Sequence, residues 1–536
     1  MRLATADRTL RRVVAVTLAA LVARLAFLGS RVAHFDEGRV GYWTLEYART
    51  GEYTYRAVLH GPLLQHVNRH LFDLLGPTDF AMRLFPAVVT GLLPLSVVLF
   101  RARLSNRELT ALALLLAFEP LLLYYGRFSR SDPLVGAFAF VAFGLVVRAI
   151  DAERAGYLVP ALGFLGLGLG AKENALLYPV AWLGAGLFLL DHRLLGSDDR
   201  LATLRESGRT VARGVRRGLP MAVGGLLLAF VVLFVMYAPR TPGPEPGIGA
   251  LGSNPAALPA LLDAAFVQSG RRLAELWLAP NSQFKLEFSY VVVAGALLKS
   301  LLVPAAPVTL LGVGGFLADR YRSAPRDLVQ FAGAWALFSL VGYPAVADVP
   351  ASWLGVHILL PLVIPAAVAL AATYEVARSH DALVGRVATV TLVLVAASVA
   401  GVAGYTSYVN PDGSHELAQY SQPHGDFSGL RDDPDELLVY GAAFVDGDTT
   451  APRRPPCVAW FETLPLGWYT ERANTTVTCA ANASELPDQL PPVVVAPAAA
   501  SDGELGSRTA GWEVSRVNLR QGAEPAIVLV DPDRTD

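Results

Sequence analysis

Apolar positions along this chain fall in long continuous runs, not at the spacing of an amphipathic helix or a half-buried strand. Eleven such runs are read, at about 11–29, 82–100, 108–125, 133–149, 157–170, 174–190, 219–238, 290–317, 328–346, 353–373 and 387–405. Each comes near the roughly 20 apolar residues that carry a helix across the hydrocarbon of a bilayer. A segment hydrophobic on every side predicts a membrane helix, because lipid offers the backbone no other hydrogen-bond partner. The fifth run is short and glycine-rich (GFLGLGLGA), so its ends are weakly marked. The eighth is long and reads as an interfacial helix followed by a span. Beyond residue 409 the pattern changes. ELLVYGAAF, PPVVVAPAA and PAIVLVD are short runs set between loop and helical segments, as buried strands are. The prediction is a polytopic α-helical membrane protein over 1–408 with a small C-terminal α/β extracytoplasmic domain over 409–536.

Charge orients this arrangement. With the N-terminus inside, the inner segments 1–12, 101–107, 148–154, 191–218, 319–327 and 375–386 hold 21 Lys and Arg in 75 residues. The outer loops 30–80, 125–131, 171–172, 239–290 and 347–352 hold 12 in 118. Basic loops stay cytoplasmic, so the N-terminus is placed in the cytoplasm. An odd number of spans then puts the C-terminal domain outside the cell. The first 30 residues carry no small-residue cleavage site, so 11–29 reads as a retained anchor of a multi-pass cell-membrane protein.

Composition narrows the classes further. Hydrophobic residues make up 53% of the chain and charged ones 17%, against roughly 25% charged in soluble proteins, which excludes a purely soluble enzyme. The net charge of −2, with no basic stripe away from membrane flanks, excludes a nucleic-acid partner. Residues 409–536 carry −12 and the remainder +10. Basic residues comprise 41 Arg and 3 Lys, namely Lys172, Lys285 and Lys299. An acidic, Lys-poor surface points to a salt-rich, halophilic habitat; a G+C-rich genome is the other source of Arg bias. The two cysteines, Cys457 and Cys479, are expected to pair in an oxidising exterior. The sequons at Asn474 and Asn482 fit that side.

Candidate chemistry gathers at the outer helix ends. The first loop opens His34-Phe35-Asp36-Glu37-Gly38. Two adjacent carboxylates there suit a general base or a cation site; a polar helix cap is the plainer account. His60, before Gly61-Pro62, suits phosphate or a metal, or is a satisfied surface residue. Arg83 and Arg127 bear the planar donor fork that suits phosphate, although snorkelling explains an Arg at a span's mouth equally well. Asp132-Pro133 reads as an N-cap and first helical residue, but the flanking aromatic and basic residues of YYGRFSRSDP suit a sugar or phosphate ligand. Lys172, in GAKEN, is a compact point charge in a chain that otherwise uses Arg. Lys299 lies in an apolar run, and His357 near the outer start of the tenth span. Asp36, Glu37, His60, Asp132, Lys172 and His357 all map to one face of the bundle, as an active site requires. Asp36, Glu37 and Asp132 are the candidate ligands of a divalent cation, Mg or Mn. No nucleotide site is expected, since no Walker sequence occurs.

The ordered set carries a resemblance. An Asp-Glu pair after the first span, a His-(Gly/Pro)-Pro-Leu element and an Arg heading the second span (AMRLFPAVVTGLL) resemble the GT-C glycosyltransferases. Protein O-mannosyltransferases and lipid A aminoarabinose transferases are the branches in view. HFDEG, HGPLL, GR-x-x-R-x-D-P and GAKEN, in this order, look still more like an archaeal family described as flippase-activity-associated in N-glycosylation. The likeness covers 1–405 well and the tail loosely; no single motif is specific. It implies a GT-C-like transmembrane domain with outer loops 30–80 and 239–290. It also implies a polyprenyl (dolichyl) phosphate sugar as donor, used on the outer face, with Asp36 as the catalytic carboxylate and Glu37 as its companion. The sequence departs from the usual His-Pro-Pro at His60-Gly61-Pro62.

The expected function is therefore an inverting hexosyl transfer from polyprenyl-phosphate sugar to a hydroxyl of a glycoprotein or glycolipid. The alternative is a lipid-linked sugar flippase or its accessory, holding the same headgroup without breaking a bond. A third is a structural membrane protein whose tail binds surface glycoprotein.

Overall fold

The structure, a computed structural model, describes residues 2–240, 246–278, 289–347, 349–379, 382–418, 422–446, 457–519 and 524–533. Lys285 and part of the outer loop 239–290 lie outside the described residues. The chain forms two compact units, each discontinuous in sequence. One comprises Met1–Ala26, Tyr53–Leu64 and Pro86–Val409; the other comprises Phe27–Glu52, Gln65–Phe85 and Asn410–Asp536.

The first unit is helical. Among the described residues, seven helices are long and apolar enough to cross a membrane. They are Asp79–Phe100, Ser131–Asp151, Glu173–Leu195, Arg200–Tyr237, Asp327–Val346, Ser352–Ala377 and Ala382–Val409. Leu226, Val231, Val393 and Leu394 are exposed on two of them, as side chains facing lipid are. The expected eighth run is a pair, Tyr290–Leu302 and Ala306–Arg320, bent by 96°, which brings the count to eight if taken as one span.

Eleven spans are not reached by length and composition alone. The fifth run is a shorter apolar helix, Ala155–Ala171. Run 108–125 divides into Asn106–Phe118 and Pro120–Tyr125. Pro120 has no amide to continue the first helix, and the Glu119 carboxylate caps the second by accepting from Leu122 N at 2.8 Å. The first run lies largely in Arg2–Leu25, which ends short of residue 29.

The second unit is built on a six-stranded sheet. Its strands are β1 (His424–Gly425), β2 (Glu436–Tyr440), β3 (Thr476–Ala480), β4 (Val493–Pro497), β5 (Glu513–Asn518) and β6 (Ala526–Val530). The order is β1-β5-β6-β4-β2-β3, with β2 parallel to β3 and β4 and the other pairs antiparallel. The three runs read as strands from sequence are β2, β4 and β6. Both faces of these strands are buried, which explains why each run is continuously apolar. Leu437, Val439, Val493, Val495 and Val528 face one side; Leu438, Val494, Ala496, Ile527 and Leu529 face the other.

The first side shares its core with the first loop. Val32, Ala33, Phe72, Ala81 and Met82 pack with Trp468 and Tyr469 there. Trp468 Nε1 also donates to the buried carboxylate of Asp79 at 2.8 Å. The helix Phe35–Thr50 passes so close that a Cβ on Gly38 would meet Pro465 Cβ at 2.6 Å. Residues 27–52 and 65–85 thus belong structurally with the tail.

Cys457 and Cys479 are joined as a disulfide across 22 positions. Converting both to Ser is expected to destabilise the second unit by roughly 3 kcal/mol, the chain-entropy value for such a loop. Thermal denaturation measures this, and an unchanged midpoint would contradict it. Asn474 and Asn482 are both exposed, so neither sequon is buried.

Candidate active site

In the helical unit, the elements around GRFSRSDP and GAKEN bring four charged or polar groups together. The helix Ser131–Asp151 starts after an extended Arg130, so Asp132 lies in its first turn and does not cap it as the Asp-Pro pair suggests. The carboxylate instead accepts from Lys172 Nζ at 3.1 and 3.0 Å. Lys172 follows the end of helix Leu158–Ala171 with an extended backbone, which turns its side chain back toward Asp132. Asn174 Nδ2 donates to Asp132 Oδ1 at 3.1 Å, and His357 Nε2 lies 3.2 Å from the same oxygen. The other imidazole nitrogen meets Tyr178 OH at 2.7 Å, and Tyr343 stacks on the ring at 4.2 Å. Arg130 Nη2 is 4.0 Å from Asp132 Oδ2, and its guanidinium lies 3.4 Å over Trp353. Asn174 is half-buried, and the other side chains of this group are buried. Lys172 and Arg130 are two cations around one carboxylate, a balance that suits an anion.

One residue along the chain from Lys172, Glu173 enters a separate group. Its Oε1 accepts from Tyr55 OH at 2.6 Å and from Tyr237 OH at 3.3 Å. Burial pushes the Tyr55 phenol far above its ordinary range, and the Glu173 charge adds to this, so Tyr55 remains a donor. His60 Nδ1 lies 3.9 Å from Glu173 Oε2. Gly61 rests on the backbone of the GAKEN turn, where a Cβ would stand 2.4 Å from Gly170 O. The Gly in His-Gly-Pro is therefore required by close approach of two chain segments.

In the second unit, HFDEG starts the helix Phe35–Thr50. His34 Nδ1 accepts from Asp36 N at 3.1 Å, and Glu37 Oε2 accepts from His34 N at 2.9 Å. The plain helix-cap account of the motif is thus correct for His34 and Glu37. Glu37 is fully buried. Arg83 donates to both its oxygens at 3.0 and 2.9 Å, and Arg31 to one at 2.8 Å. Burial by itself would raise the Glu37 carboxyl; the Arg31 and Arg83 charges outweigh it and hold the group well below its ordinary 4.5. Asp36 differs. It accepts from Arg39 Nη2 at 2.6 Å, and its side chain stays 20% exposed.

The sequence-selected residues thus separate into two kinds. Asp132, Lys172 and His357 meet directly, and His60 faces Glu173. Glu37 and Arg83 form a structural ion pair. Arg83 also donates to the carbonyls of Leu28, Arg31 and Val32. Arg127 donates to the carbonyls of Ala23, Arg24 and Ala26, where helix Arg2–Leu25 ends. Both Arg side chains are therefore engaged by protein carbonyls and are not presented as phosphate ligands. Lys299 is an exposed residue in the last turn of helix Tyr290–Leu302.

The Mg or Mn set does not fit this geometry. Glu37 already accepts from two guanidinium groups and an amide, and Asp132 from Lys172 and Asn174. A hard divalent cation needs several oxygen ligands of its own. Among the described residues, no group of three or more His, Cys, Asp and Glu could hold a metal ion.

Sequence reasoning did not single out Glu173, Asn174, Tyr178, Tyr343, Tyr55, Tyr237, Arg130 or Arg31 as individual functional residues. Glu173 and Asn174 follow Lys172 directly, and the three were legible as a polar break between two apolar runs. Tyr178 and Tyr343 sit inside apolar runs and carried no such signal.

Two family models match parts of the chain. Residues 59–200 match dolichyl-phosphate-mannose-protein mannosyltransferase, and 426–531 match the Agl23 flippase-associated protein C-terminal domain. Comparison with curated protein sequences yields no match. Among solved structures, apo ArnT from Cupriavidus metallidurans is similar at 15% identity, covering 97% of each chain, with a TM-score of 0.52. ArnT from the same organism bound to undecaprenyl phosphate gives 16% identity over 97% of this chain and 98% of that one, also at 0.52. The archaeal oligosaccharyltransferase AglB from Archaeoglobus fulgidus, in complex with an inhibitory peptide and a dolichol-phosphate, gives 12% identity over 94% and 72%, at 0.46.

Proposed function

From a chain with the GT-C fold, we propose a membrane glycosyltransferase that moves a sugar from a polyprenyl-phosphate donor to an acceptor hydroxyl on the extracytoplasmic face. The observation that carries this reading is the contrast between the paired acids of the first loop. Glu37 is saturated by protein donors, whereas Asp36 keeps a partly exposed carboxylate at the first turn of a rigid helix. The mannosyltransferase match over 59–200 and an ArnT structure that holds undecaprenyl phosphate support the donor class.

In this mechanism Asp36 takes the proton of the acceptor hydroxyl as its oxygen bonds to the anomeric carbon. The bond from that carbon to the phosphate oxygen breaks with its electron pair, and polyprenyl phosphate leaves. A single displacement inverts the anomeric configuration. Lys172, with Arg130, supplies positive charge for the phosphate. Asn174 and His357 orient the Asp132 carboxylate, which holds Lys172 in place. Tyr178 and Tyr343 fix the His357 ring. Arg31, Glu37 and Arg83 hold the loop that carries Asp36.

Lys172→Ala is expected to weaken donor binding by about 10–100-fold, the loss of one charge-assisted contact. Lys172→Arg should restore only part of it, because the fork is longer and planar. Titration with a polyprenyl-phosphate sugar measures both, and parental affinity in the Ala variant would contradict the assignment.

The proposal also has the N-terminus in the cytoplasm and residues 409–536 outside. Cysteine labelling of engineered tail positions in intact cells tests this, and labelling only after lysis would refute it.

A flippase-associated role is the second reading, favoured by the match of 426–531 to an Agl23 flippase-associated C-terminal domain. It uses the same headgroup contacts without bond cleavage. Transfer of labelled sugar by purified protein separates the two.

A further inference from the structure

His60 has a backbone that glycine, not histidine, normally occupies. Its φ of 63° and ψ of −157° fall in a region that is nearly glycine-only. Such strain persists where surrounding structure enforces it, and it clusters at ligand-binding positions. Here the enforcing contacts are visible. Gly61 abuts the Gly170 and Ala171 backbone, and Pro62 fixes the next turn.

The strained residue holds its ring beside a prepared carboxylate. Tyr55 donates to Oε1 of Glu173 at 2.6 Å, and Tyr237, whose one hydroxyl proton is shared with Leu169 O at 3.2 Å, lies 3.3 Å from the same oxygen; Oε2 is turned toward His60. The gap from Oε2 to His60 Nδ1 is 3.9 Å, too long for a direct hydrogen bond. It is the right span for one hydroxyl oxygen about 2.8 Å from each, donating to the carboxylate and accepting from the imidazole. The His60 and Glu173 side chains are 21% and 16% exposed, so the gap is reachable. The Tyr55 and Tyr237 rings pack on each other with centroids 4.9 Å apart, which holds the two hydroxyls at Glu173. Two ligands make no metal site among the described residues.

We propose that His60 and Glu173 form a hexose subsite that reads one ring hydroxyl of the lipid-linked sugar. The proposal rests on the reading of the substrate as a lipid-linked sugar, and it adds where the sugar itself is recognised. Glu173 is one residue from Lys172, so the phosphate-binding and sugar-reading groups project from the same short turn. Bare polyprenyl phosphate lacks the hydroxyl and does not engage the pair.

The test uses the purified full chain in detergent and four probes. These are polyprenyl phosphate alone and the same lipid phosphate carrying mannose, glucose or N-acetylglucosamine. Equilibrium binding is measured for the parent, His60→Gly and Glu173→Gln. His60→Gly removes the imidazole while relieving the backbone, so its melting temperature should equal or exceed the parent's. The parent should bind at least one sugar-bearing lipid about 10-fold or more tighter than the bare lipid, and both variants should lose that preference. Binding of the bare lipid should stay within about twofold. Equal binding of all four lipids by the parent would overturn the proposal, as would a sugar preference preserved in both variants. Loss of bare-lipid binding in a folded His60→Gly variant would also overturn it, because the pair would then act on phosphate. Binding is scored without turnover, so failure of sugar transfer leaves this result readable and counts against the glycosyltransferase reading alone.

Discussion

Asp36→Asn is expected to abolish sugar transfer while leaving the protein folded. The Asn side chain keeps the size of Asp36 and can still accept from Arg39, but it cannot take a proton. Loss of a positioned general base lowers a rate by about 10²–10⁴. Stability should change little, because the carboxylate is partly exposed and its Arg39 pair lies within one turn of the same helix. Donor affinity should also hold, since phosphate binding is assigned to Lys172. A transfer rate within about threefold of the parent's would remove Asp36 from the base role.

Glu37→Gln, one residue along, should fail in the opposite way. The family resemblance makes Glu37 the companion of Asp36, and the structure moves the main expected effect of its loss to stability. Arg31 and Arg83 would be left around a neutral amide in a fully buried position. Breaking one side of a buried ion pair costs about 3–5 kcal/mol. Denaturation of the purified protein should show that loss, and a change below about 1 kcal/mol would contradict the ion-pair account. The pH dependence has a definite sign. The carboxyl is held below its ordinary 4.5 in the folded state, so its contribution is complete above that pH. It is lost as pH falls from there toward the depressed folded value. Glu37→Gln should therefore be less stable than the parent at neutral pH, with the difference shrinking in acid.

Hydropathy made the bundle legible because a helix in lipid must be apolar on all sides, and each of the seven described spans overlaps one of the runs read from sequence. It overlooked the break at Glu119-Pro120, where a local proline signal sat inside a run read as continuous. The three central strands were equally plain. What pairs with their faces was not, because an apolar strand does not say which segment covers it. Val32, Phe72 and Met82 come from over 350 residues earlier in the chain to fill that core.

For the site, Asp132, Lys172 and His357 were visible as rare polar residues at helix ends. Their mutual contacts depend on helix packing that one sequence does not encode locally. Arg83 and Arg127 show the limit of residue type as a guide. A guanidinium suits phosphate, but it equally suits the carbonyls left unpaired at a loop or helix end, and here those carbonyls take it. Glu37 is the same lesson for acids. Adjacent carboxylates looked alike until Arg31, invisible as a partner in sequence, was placed on one of them.

The measurement that bears most directly on the central claim is release of polyprenyl phosphate from a labelled polyprenyl-phosphate sugar by the purified protein in detergent, with a hydroxyl acceptor present. Detergent removes the bilayer, so a flippase has nothing to move lipid across, while a transferase still breaks the sugar–phosphate bond. The account predicts labelled sugar on the acceptor, one polyprenyl phosphate released per transfer, and neither product from Asp36→Asn. Intact donor after incubation with folded, donor-binding wild-type protein across mannose, glucose and N-acetylglucosamine donors would contradict it.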